Sequence, residues 1–125
     1  MMKRALPIAW ATAAAVTAIA ITAPPALARS ARCDIRTNDG AYAGSCAFTP
    51  SKGGSFSIAP IGRPEFFDHA KDDPGITLIS VDVRGSAAQV SGLTTDGIDS
   101  RWGPANRSRK DRACWVGEDF SICVY

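Results

Sequence analysis

The four cysteines constrain the fold of this chain most, because they form two pairs that each bracket a turn signal. Cys33 and Cys46 lie on either side of Asp39-Gly40, a dipeptide typical of two-residue hairpin turns. The other two cysteines bracket Glu118-Asp119 in the same way. With these dipeptides as turns, each pair is directly opposed at a non-hydrogen-bonded position, where Cα atoms lie about 4.5 Å apart. The spacing therefore predicts two hairpin disulfides, Cys33–Cys46 and Cys114–Cys123.

The spacing of the cysteines argues against a metal or redox site. Structural zinc sites place paired cysteines roughly two to four residues apart, and thioredoxin-like redox sites need Cys-x-x-Cys. Neither spacing occurs in this chain. A crossed pairing, 33–123 with 46–114, is the alternative, and it would tie the two ends of the domain together.

The alternation of apolar residues predicts on which side of the sheet each disulfide lies. In the first hairpin the cysteines share a face with three apolar side chains, Ile35, Tyr42 and Phe48, so that disulfide is expected inside the fold. In the last hairpin the apolar face is opposite the cysteines and carries Trp115, Phe120, Ile122 and Val124. Its disulfide is expected on the outer surface or beneath a loop.

The rest of residues 29–125 is predicted to consist of short strands and turns. Glycine and proline recur throughout, and no segment keeps a helical apolar period over three turns. Segments 76–83 and 88–93 pair around Gly85-Ser86, with Val81 opposite Val90 and one apolar face. Seven or eight short antiparallel strands in one domain indicate an all-β fold, either a small meander barrel or a sandwich.

The N-terminal residues 1–28 are predicted to be a signal peptide. A basic start, MMKR, precedes an alanine-rich apolar stretch and the cleavage motif Ala26-Leu27-Ala28. A transmembrane anchor is the alternative, but Pro24-Pro25 interrupts the stretch. We therefore expect a single β domain at 29–125 that is periplasmic or secreted, with no membrane association after cleavage.

The charge balance argues against nucleic acid as a partner. The chain has 14 basic and 12 acidic residues. Loss of Lys3 and Arg4 with the signal peptide leaves equal numbers of both signs, whereas a nucleic-acid-binding domain shows a basic excess. No cofactor motif is present in the sequence, so no cofactor is expected.

The segment 62–75 is acidic and contains the only histidine of the chain. Histidine and carboxylates are ligands for divalent metals, which makes Asp68, His69, Asp72 and Asp73 weak candidates for a metal site. The alternative is a solvated acidic loop. Phe66 and Phe67 are expected to anchor this segment on the barrel.

The segment 103–112 is predicted to be a basic loop and the main candidate for binding. Arginine beside aromatic residues is a composition found at protein interfaces. The candidate binding residues are Trp102, Arg107, Arg109, Lys110 and Arg112. The alternative is a solvated loop that forms salt links with segment 62–75 at one end of the barrel.

The C-terminal half carries three stretches, ISVDVRG, GLTTDGIDSRWG and RACWVGEDFSICVY. In these it resembles a group of uncharacterised small exported bacterial proteins with a C-terminal ACW…C hairpin, which implies no activity. In size, export signal and barrel architecture the chain is also similar to periplasmic lysozyme inhibitors. The Ser-Gly-x-x-Tyr stretch of those inhibitors is not matched, because Ser91-Gly92 is followed by no tyrosine at the required position.

The sequence lacks a recognisable catalytic set. His69 is the only imidazole base, and no G-x-S-x-G motif occurs. The sequence therefore favours an exported, non-enzymatic binding or inhibitor-type module whose partner is a protein or glycan of the cell envelope. The alternatives are a metal-dependent enzyme using the 65–73 loop and a purely structural envelope protein. The sequence identifies neither the ligand nor the oligomeric state.

Overall fold

The computed structural model describes residues 4–5, 7, 9, 11–19, 27–67 and 74–125. Eight antiparallel strands follow each other around a closed barrel, in which β8 pairs with β1. The strands are β1 (Arg29–Thr37), β2 (Gly40–Pro50), β3 (Phe56–Pro60), β4 (Ile76–Arg84), β5 (Ala87–Thr94), β6 (Asp99–Arg107), β7 (Cys114–Gly117) and β8 (Phe120–Val124). The prediction of an all-β fold is confirmed, and its architecture is the barrel.

The first strand begins at Arg29, the residue after the predicted cleavage site. The described residues before it belong to no strand or helix. None of the helices in the described part of the chain has the length and apolar character needed to cross a bilayer.

The interior of the barrel is filled by alternate side chains from the strands. The largest side chains with less than 2% exposure are Phe66, Ile35, Ile58, Ile79, Ile122, Val81 and Val90. The predicted pairing of β4 with β5 is confirmed, with Val81 opposite Val90 and Asp82 opposite Gln89. Burial of one face and exposure of the other fix this register, since a slip by one residue would exchange the two faces.

The predicted register of the first hairpin is wrong, because the turn lies one residue earlier in the sequence than predicted. The turn is formed by Asn38 and Asp39, because Thr37 directly faces Gly40. The Thr37 Oγ1 atom accepts hydrogen bonds from the backbone N–H groups of Asp39 (3.2 Å) and Gly40 (3.1 Å). These bonds stabilise the turn one residue earlier than Asp39-Gly40 predicts. Opposed residues consequently shift by two positions, and Cys33 faces Gly44.

Both predicted disulfides are present despite this difference. Cys33 and Cys46 are diagonal neighbours on the same inward face, with Cα atoms 5.8 Å apart. Because the shift equals two positions, both cysteines keep their face, as the alternation of strand side chains requires. Cys114 and Cys123 are directly opposed as predicted, with Cα atoms 4.0 Å apart. The crossed pairing is excluded.

The strand predicted at 98–102 is longer than expected, and the prediction of a 103–112 loop is wrong in its first half. β6 continues through Gly103 and Pro104 to Arg107. A bulge lies between the pairs Ser91–Arg101 and Val90–Gly103, and Gly103 has a φ of 112°. β7 pairs only with residues 105–107, so Pro104 is flanked by β5 alone, where a missing N–H is tolerated. The remaining loop is 108–113.

Successive connections of this meander alternate between the two ends of the barrel. The connections β1–β2, β3–β4, β5–β6 and β7–β8 lie at one end, and the others lie at the opposite end with the start of β1 and the end of β8. The backbone bond Thr95 N to Gly75 O (2.9 Å) joins two connections of the first group. The described residues of segment 62–75, namely 62–67 and 74–75, therefore lie at the opposite end from 108–113. For these residues the alternative of two loops joined by salt links at one end is wrong.

The β3–β4 segment anchors on the barrel through its two phenylalanines, as predicted. Phe66 is 0% exposed, its ring centroid lies 5.2 Å from that of Tyr42, and its N–H donates to the Ile76 carbonyl (2.9 Å). Phe67 packs against Gly40 in the first hairpin. The Phe66 side chain thus closes this end of the core.

Candidate binding surface at the basic end

One end of the barrel is strongly cationic. Its strand termini and connections contain seven cationic side chains and the carboxylate of Asp111, and a second carboxylate, Asp82, contacts Arg84 and Ser55 at the same end. All seven cationic residues are exposed: Arg29, Lys52, Arg84, Arg107, Arg109, Lys110 and Arg112. They come from the start of β1, the β2–β3 connection, the end of β4 and the β6–β7 region. We call this surface the basic end.

Short side-chain to backbone bonds order the 108–113 loop at the basic end. The Ser108 Oγ atom accepts from the N–H groups of Lys110 and Asp111, both at 3.2 Å. The Asp111 carboxylate accepts from the Ala113 N–H at 3.1 Å, and the Asp111 carbonyl accepts from the Cys114 N–H at 3.0 Å. Such local bonds hold a turn in one conformation, so the cations of this loop project from a defined backbone.

The Asp111 carboxylate of the basic end is engaged within the protein. The Tyr125 hydroxyl donates to Asp111 Oδ2 at 2.6 Å. This bond, with the Ala113 N–H bond as a second cause, holds the pKa of the Asp111 carboxyl below its usual value. The same bond raises the pKa of the Tyr125 hydroxyl. A carboxylate already stabilised in this way competes less for the surrounding cations.

The loop and Tyr125 also cover the outer disulfide. Cys114 lies on the outward face but is only 7% exposed, and its Sγ atom lies 3.8 Å from the Tyr125 hydroxyl oxygen. Of the two predicted positions for this disulfide, the one beneath a loop is correct. The opposite face of this hairpin is buried as predicted through Trp115, Phe120 and Ile122.

Arg107 supports the loop. Its Nε–H donates to the Arg112 carbonyl at 2.8 Å, and its guanidinium carbon lies 5.2 Å from the centre of the Trp115 ring. The side chains of Arg109, Lys110 and Arg112 make no hydrogen bond or ion pair with the described residues. These three cations are therefore available to an external anion, while Arg107 has a positioning role.

Trp102 does not join the basic residues. It occupies the bulge of β6, near the opposite end, and is half-buried. Its ring centroid lies 5.6 Å from that of Phe120, and a Cβ atom at Gly92 would approach its Nε1 atom to 2.9 Å. The bulge turns this indole inward over a glycine. Trp102 is thus a packing residue at the other end of the barrel.

Three cations of the basic end, Arg29, Lys52 and Arg84, were not predicted from the sequence. They are far apart along the chain and meet only because alternate connections share an end. The Arg84 Nη2 atom lies 3.8 Å from Asp82 Oδ2, and Asp82 Oδ1 accepts a hydrogen bond from the Ser55 hydroxyl at 3.2 Å. A count of charges at alternate connections could have identified these residues.

The opposite end is acidic. Its described strand termini and connections contain one cation, Arg63, and six carboxylates: Asp39, Glu65, Asp96, Asp99, Glu118 and Asp119. All of these carboxylate residues except Glu65 are exposed. We call this surface the acidic end.

The weak metal candidates Asp68, His69, Asp72 and Asp73 lie outside the described residues. Within the part of the chain that the structure describes, no three histidine, cysteine, aspartate or glutamate side chains are grouped as a metal site.

The resemblance to small exported bacterial proteins stays a prediction. In three comparisons, no protein-family model, no curated protein and no solved structure matches this chain.

Proposed function

We propose that this protein is an exported, non-enzymatic binding module that uses its basic end to engage an anionic protein or glycan of the cell envelope. The observation that carries the proposal is the charge of this end, where seven exposed cations stand against two carboxylates, Asp111 and Asp82, that are both bonded within the protein. Such a one-sided charge distribution attracts anions and raises their rate of association.

The types of cation at the basic end favour carboxylate or phosphate groups. Five of the seven are arginines. The planar guanidinium group pairs with both oxygens of a carboxylate or phosphate, whereas lysine acts as a point charge. Because the cations come from several connections around the rim, they suit an extended anionic surface or polymer better than a single small anion.

The order of the 108–113 loop also supports a binding role. A flexible loop would lose conformational freedom on binding, at a cost of about 0.5–1.5 kcal/mol for each side chain immobilised. The Ser108 and Asp111 bonds fix the backbone before any partner arrives. Only the tips of Arg109, Lys110 and Arg112 then remain to be ordered.

The proposed location outside the cytoplasm rests on the N-terminal sequence and on the two disulfides. Disulfides form and persist in oxidising compartments, and small exported domains often depend on them. Both are present in this barrel of eight strands.

A retention experiment tests the proposal. The oxidised 29–125 chain is immobilised and exposed to an envelope extract, in parallel with the variant Arg109→Gln/Lys110→Gln/Arg112→Gln. The control, Arg36→Gln/Arg101→Gln, removes two exposed cations of β1 and β6 that lie away from the basic end. We expect the control to retain the same material as the wild type and the basic-end variant to lose it. Equal retention by all three proteins would refute a role for the basic end.

Chemical or enzymatic treatment of the extract before the experiment identifies whether the partner is a protein or a glycan. Protease digestion removes a protein partner, whereas periodate oxidation damages a glycan partner. Because exposed ion pairs are screened by salt, the retained material should elute as the salt concentration rises. Material that resists salt and is retained by the basic-end variant would contradict the electrostatic basis of the proposal.

A further inference from the structure

The two ends of the barrel carry opposite charges of similar size. The basic end has seven cations and two carboxylates, and the described part of the acidic end has six carboxylates and one cation. Over residues 29–125 the positive and negative charges balance. Each end of this molecule is therefore electrostatically complementary to the opposite end of another copy.

We propose that copies of this chain associate head to tail, with the basic end of one copy on the acidic end of the next. Contact between two like ends brings charges of one sign together, which is unfavourable. This inference goes beyond the proposed function, because it needs no external ligand.

The position of the two ends determines the kind of assembly. They lie at opposite ends of one closed barrel, so a pair of copies that share one contact still leaves one basic and one acidic end free. Such a heterologous contact continues into an open chain unless its rotation closes a ring. A symmetric dimer cannot form through this contact.

The acidic end presents its charges on ordered turns. In the β5–β6 turn, the Thr94 N–H donates to the Ile98 carbonyl at 2.9 Å, and the Ile98 N–H donates to Thr94 Oγ1 at 3.0 Å. This turn holds Asp96 and directly precedes Asp99. In the first hairpin, the Thr37 bonds described above fix the turn that contains Asp39. The carboxylates thus meet the cations without a large loss of backbone freedom.

Each end also exposes apolar surface among its charges. At the acidic end Ile98 is 59% exposed beside Asp96 and Asp99 and Ile61 is 43% exposed after β3, and at the basic end Tyr125 is 56% exposed. Exposed ion pairs are individually weak, so the charges supply orientation and the apolar contacts add affinity. The expected assembly is reversible and sensitive to salt.

Sedimentation velocity of the oxidised chain tests the inference. At about 0.01 M salt, where the Debye length is about 30 Å, we expect the weight-average sedimentation coefficient to rise with protein concentration. At about 1 M salt, where the length is about 3 Å, it should return to the monomer value. A wild-type protein that stays monomeric at low salt and high concentration overturns the inference.

Two variants separate head-to-tail contact from other modes of association. The acidic-end variant is Asp96→Asn/Asp99→Asn/Glu118→Gln/Asp119→Asn, and the basic-end variant is Arg109→Gln/Lys110→Gln/Arg112→Gln. Each alone should be monomeric, since one half of the contact is missing. An equimolar mixture should form a heterodimer and nothing larger, because the intact ends are complementary and the neutralised ends stop growth.

Two results with these variants would exclude the head-to-tail contact. If either variant self-associates like the wild type, or if the mixture stays monomeric, head-to-tail contact is excluded. Near-ultraviolet circular dichroism and the melting temperature of each variant check that the barrel is intact. The acidic-end variant keeps all seven cations, so it should still retain envelope material. If the wild type retains envelope material but does not self-associate, this inference is overturned and the proposed function stands.

Discussion

The first and last hairpins carry one disulfide each, but the two disulfides lie in different surroundings. Cys33 and Cys46 are both 0% exposed, inside the barrel, and are diagonal neighbours. Cys114 and Cys123 are directly opposed on the outer face, beneath the 108–113 loop and Tyr125. Two cysteines on neighbouring strands can therefore be joined when they share a face, whether or not they are directly opposed.

The largest loss of stability is expected on removal of the buried disulfide, Cys33–Cys46. Both close short loops, for which the chain-entropy model gives roughly 3 kcal/mol each. Replacing the inner pair, Cys33→Ala/Cys46→Ala, should lower the free energy of unfolding by about 5 kcal/mol, the upper end for a native disulfide, because a cavity in the core adds to the lost cross-link.

Replacing the outer pair, Cys114→Ala/Cys123→Ala, should cost only about 2–3 kcal/mol, because the site is beside solvent and can relax. Urea unfolding of the two double variants and the wild type measures both values. Equal losses would show that burial does not distinguish the hairpins.

The second effect concerns the aromatic contacts that brace each hairpin. Phe66 packs on Tyr42 of the first hairpin and is fully buried, whereas Trp102 packs on Phe120 of the last hairpin and is half-buried. Phe66→Ala should cost about 3–4 kcal/mol, within the range for truncating a buried aromatic side chain. Trp102→Ala should cost less, roughly 2 kcal/mol, since part of the indole already contacts water.

Thermal or urea unfolding of both variants provides the measurement, with Phe66→Leu as a control that keeps most of the buried volume. A larger loss for Trp102→Ala than for Phe66→Ala would contradict the assignment of Phe66 as the residue that closes the core.

The sequence predicts the fold where burial and turn residues agree on the pairing. In β4 and β5 the buried residues Val81 and Val90 alternate with less buried neighbours, which excludes a register shifted by one residue, and the Gly85-Ser86 turn selects the observed one. In the first hairpin, Asn38-Asp39 and Asp39-Gly40 are both good turn dipeptides. The choice depends on hydrogen bonds of the Thr37 hydroxyl, whose geometry is not evident from residue types. A shift by two positions keeps every face, so burial does not correct this error.

The candidate site could be predicted only in part. Arg109, Lys110 and Arg112 are close in sequence, which is enough to predict them as a group. Gly103-Pro104 predicts the start of a loop, whereas it continues β6 beyond a bulge that turns Trp102 inward. The opposite positions of residues 62–67 and 108–113 follow from the alternation of connections around a closed barrel. That alternation becomes certain only when the strands are known to form a simple meander.

A smaller effect is expected from glycines beside the two hairpin turns. A Cβ atom at Gly117, the last residue of β7, would overlap the Phe120 ring. A Cβ atom at Gly40, the first residue of β2, would lie 3.3 Å from Phe67 Cδ1, a tight contact without overlap. Gly117→Ala should therefore cost about 1–3 kcal/mol, as overpacking does, and Gly40→Ala should cost less.

The exposed neighbour Val116 gives the control for the glycine comparison, because Val116→Ala removes outward-facing atoms of the same strand. Chemical denaturation of the three variants ranks them. If Gly40→Ala destabilises the protein more than Gly117→Ala, the close approach of Phe120 to the strand is not the limiting contact.

The smallest effect concerns the contact that covers the outer disulfide. Tyr125→Phe removes the bond to Asp111 and should make reduction of Cys114–Cys123 by a phosphine several-fold faster at neutral pH. Cys33–Cys46 lies in the core and should react at an unchanged rate. Mass mapping of the alkylated cysteines over time measures both rates. Faster reduction of both disulfides would indicate general destabilisation of the barrel.

The pH dependence of this contact follows from the two pKa shifts. The pKa of Asp111 is lowered in the folded protein, so its contribution is present above the unfolded value of about 3.9 and is lost as the pH falls. The pKa of Tyr125 is raised, so its contribution is present below about 10 and is lost as the pH rises through the folded value. The difference in reduction rate between wild type and Tyr125→Phe should therefore be largest between these limits and shrink outside them.

Because the inner disulfide has no such contact, its rate ratio between the two proteins should stay constant over the same range. A ratio that changes equally for both disulfides would show that the pH acts on the whole barrel and not on the Tyr125–Asp111 contact.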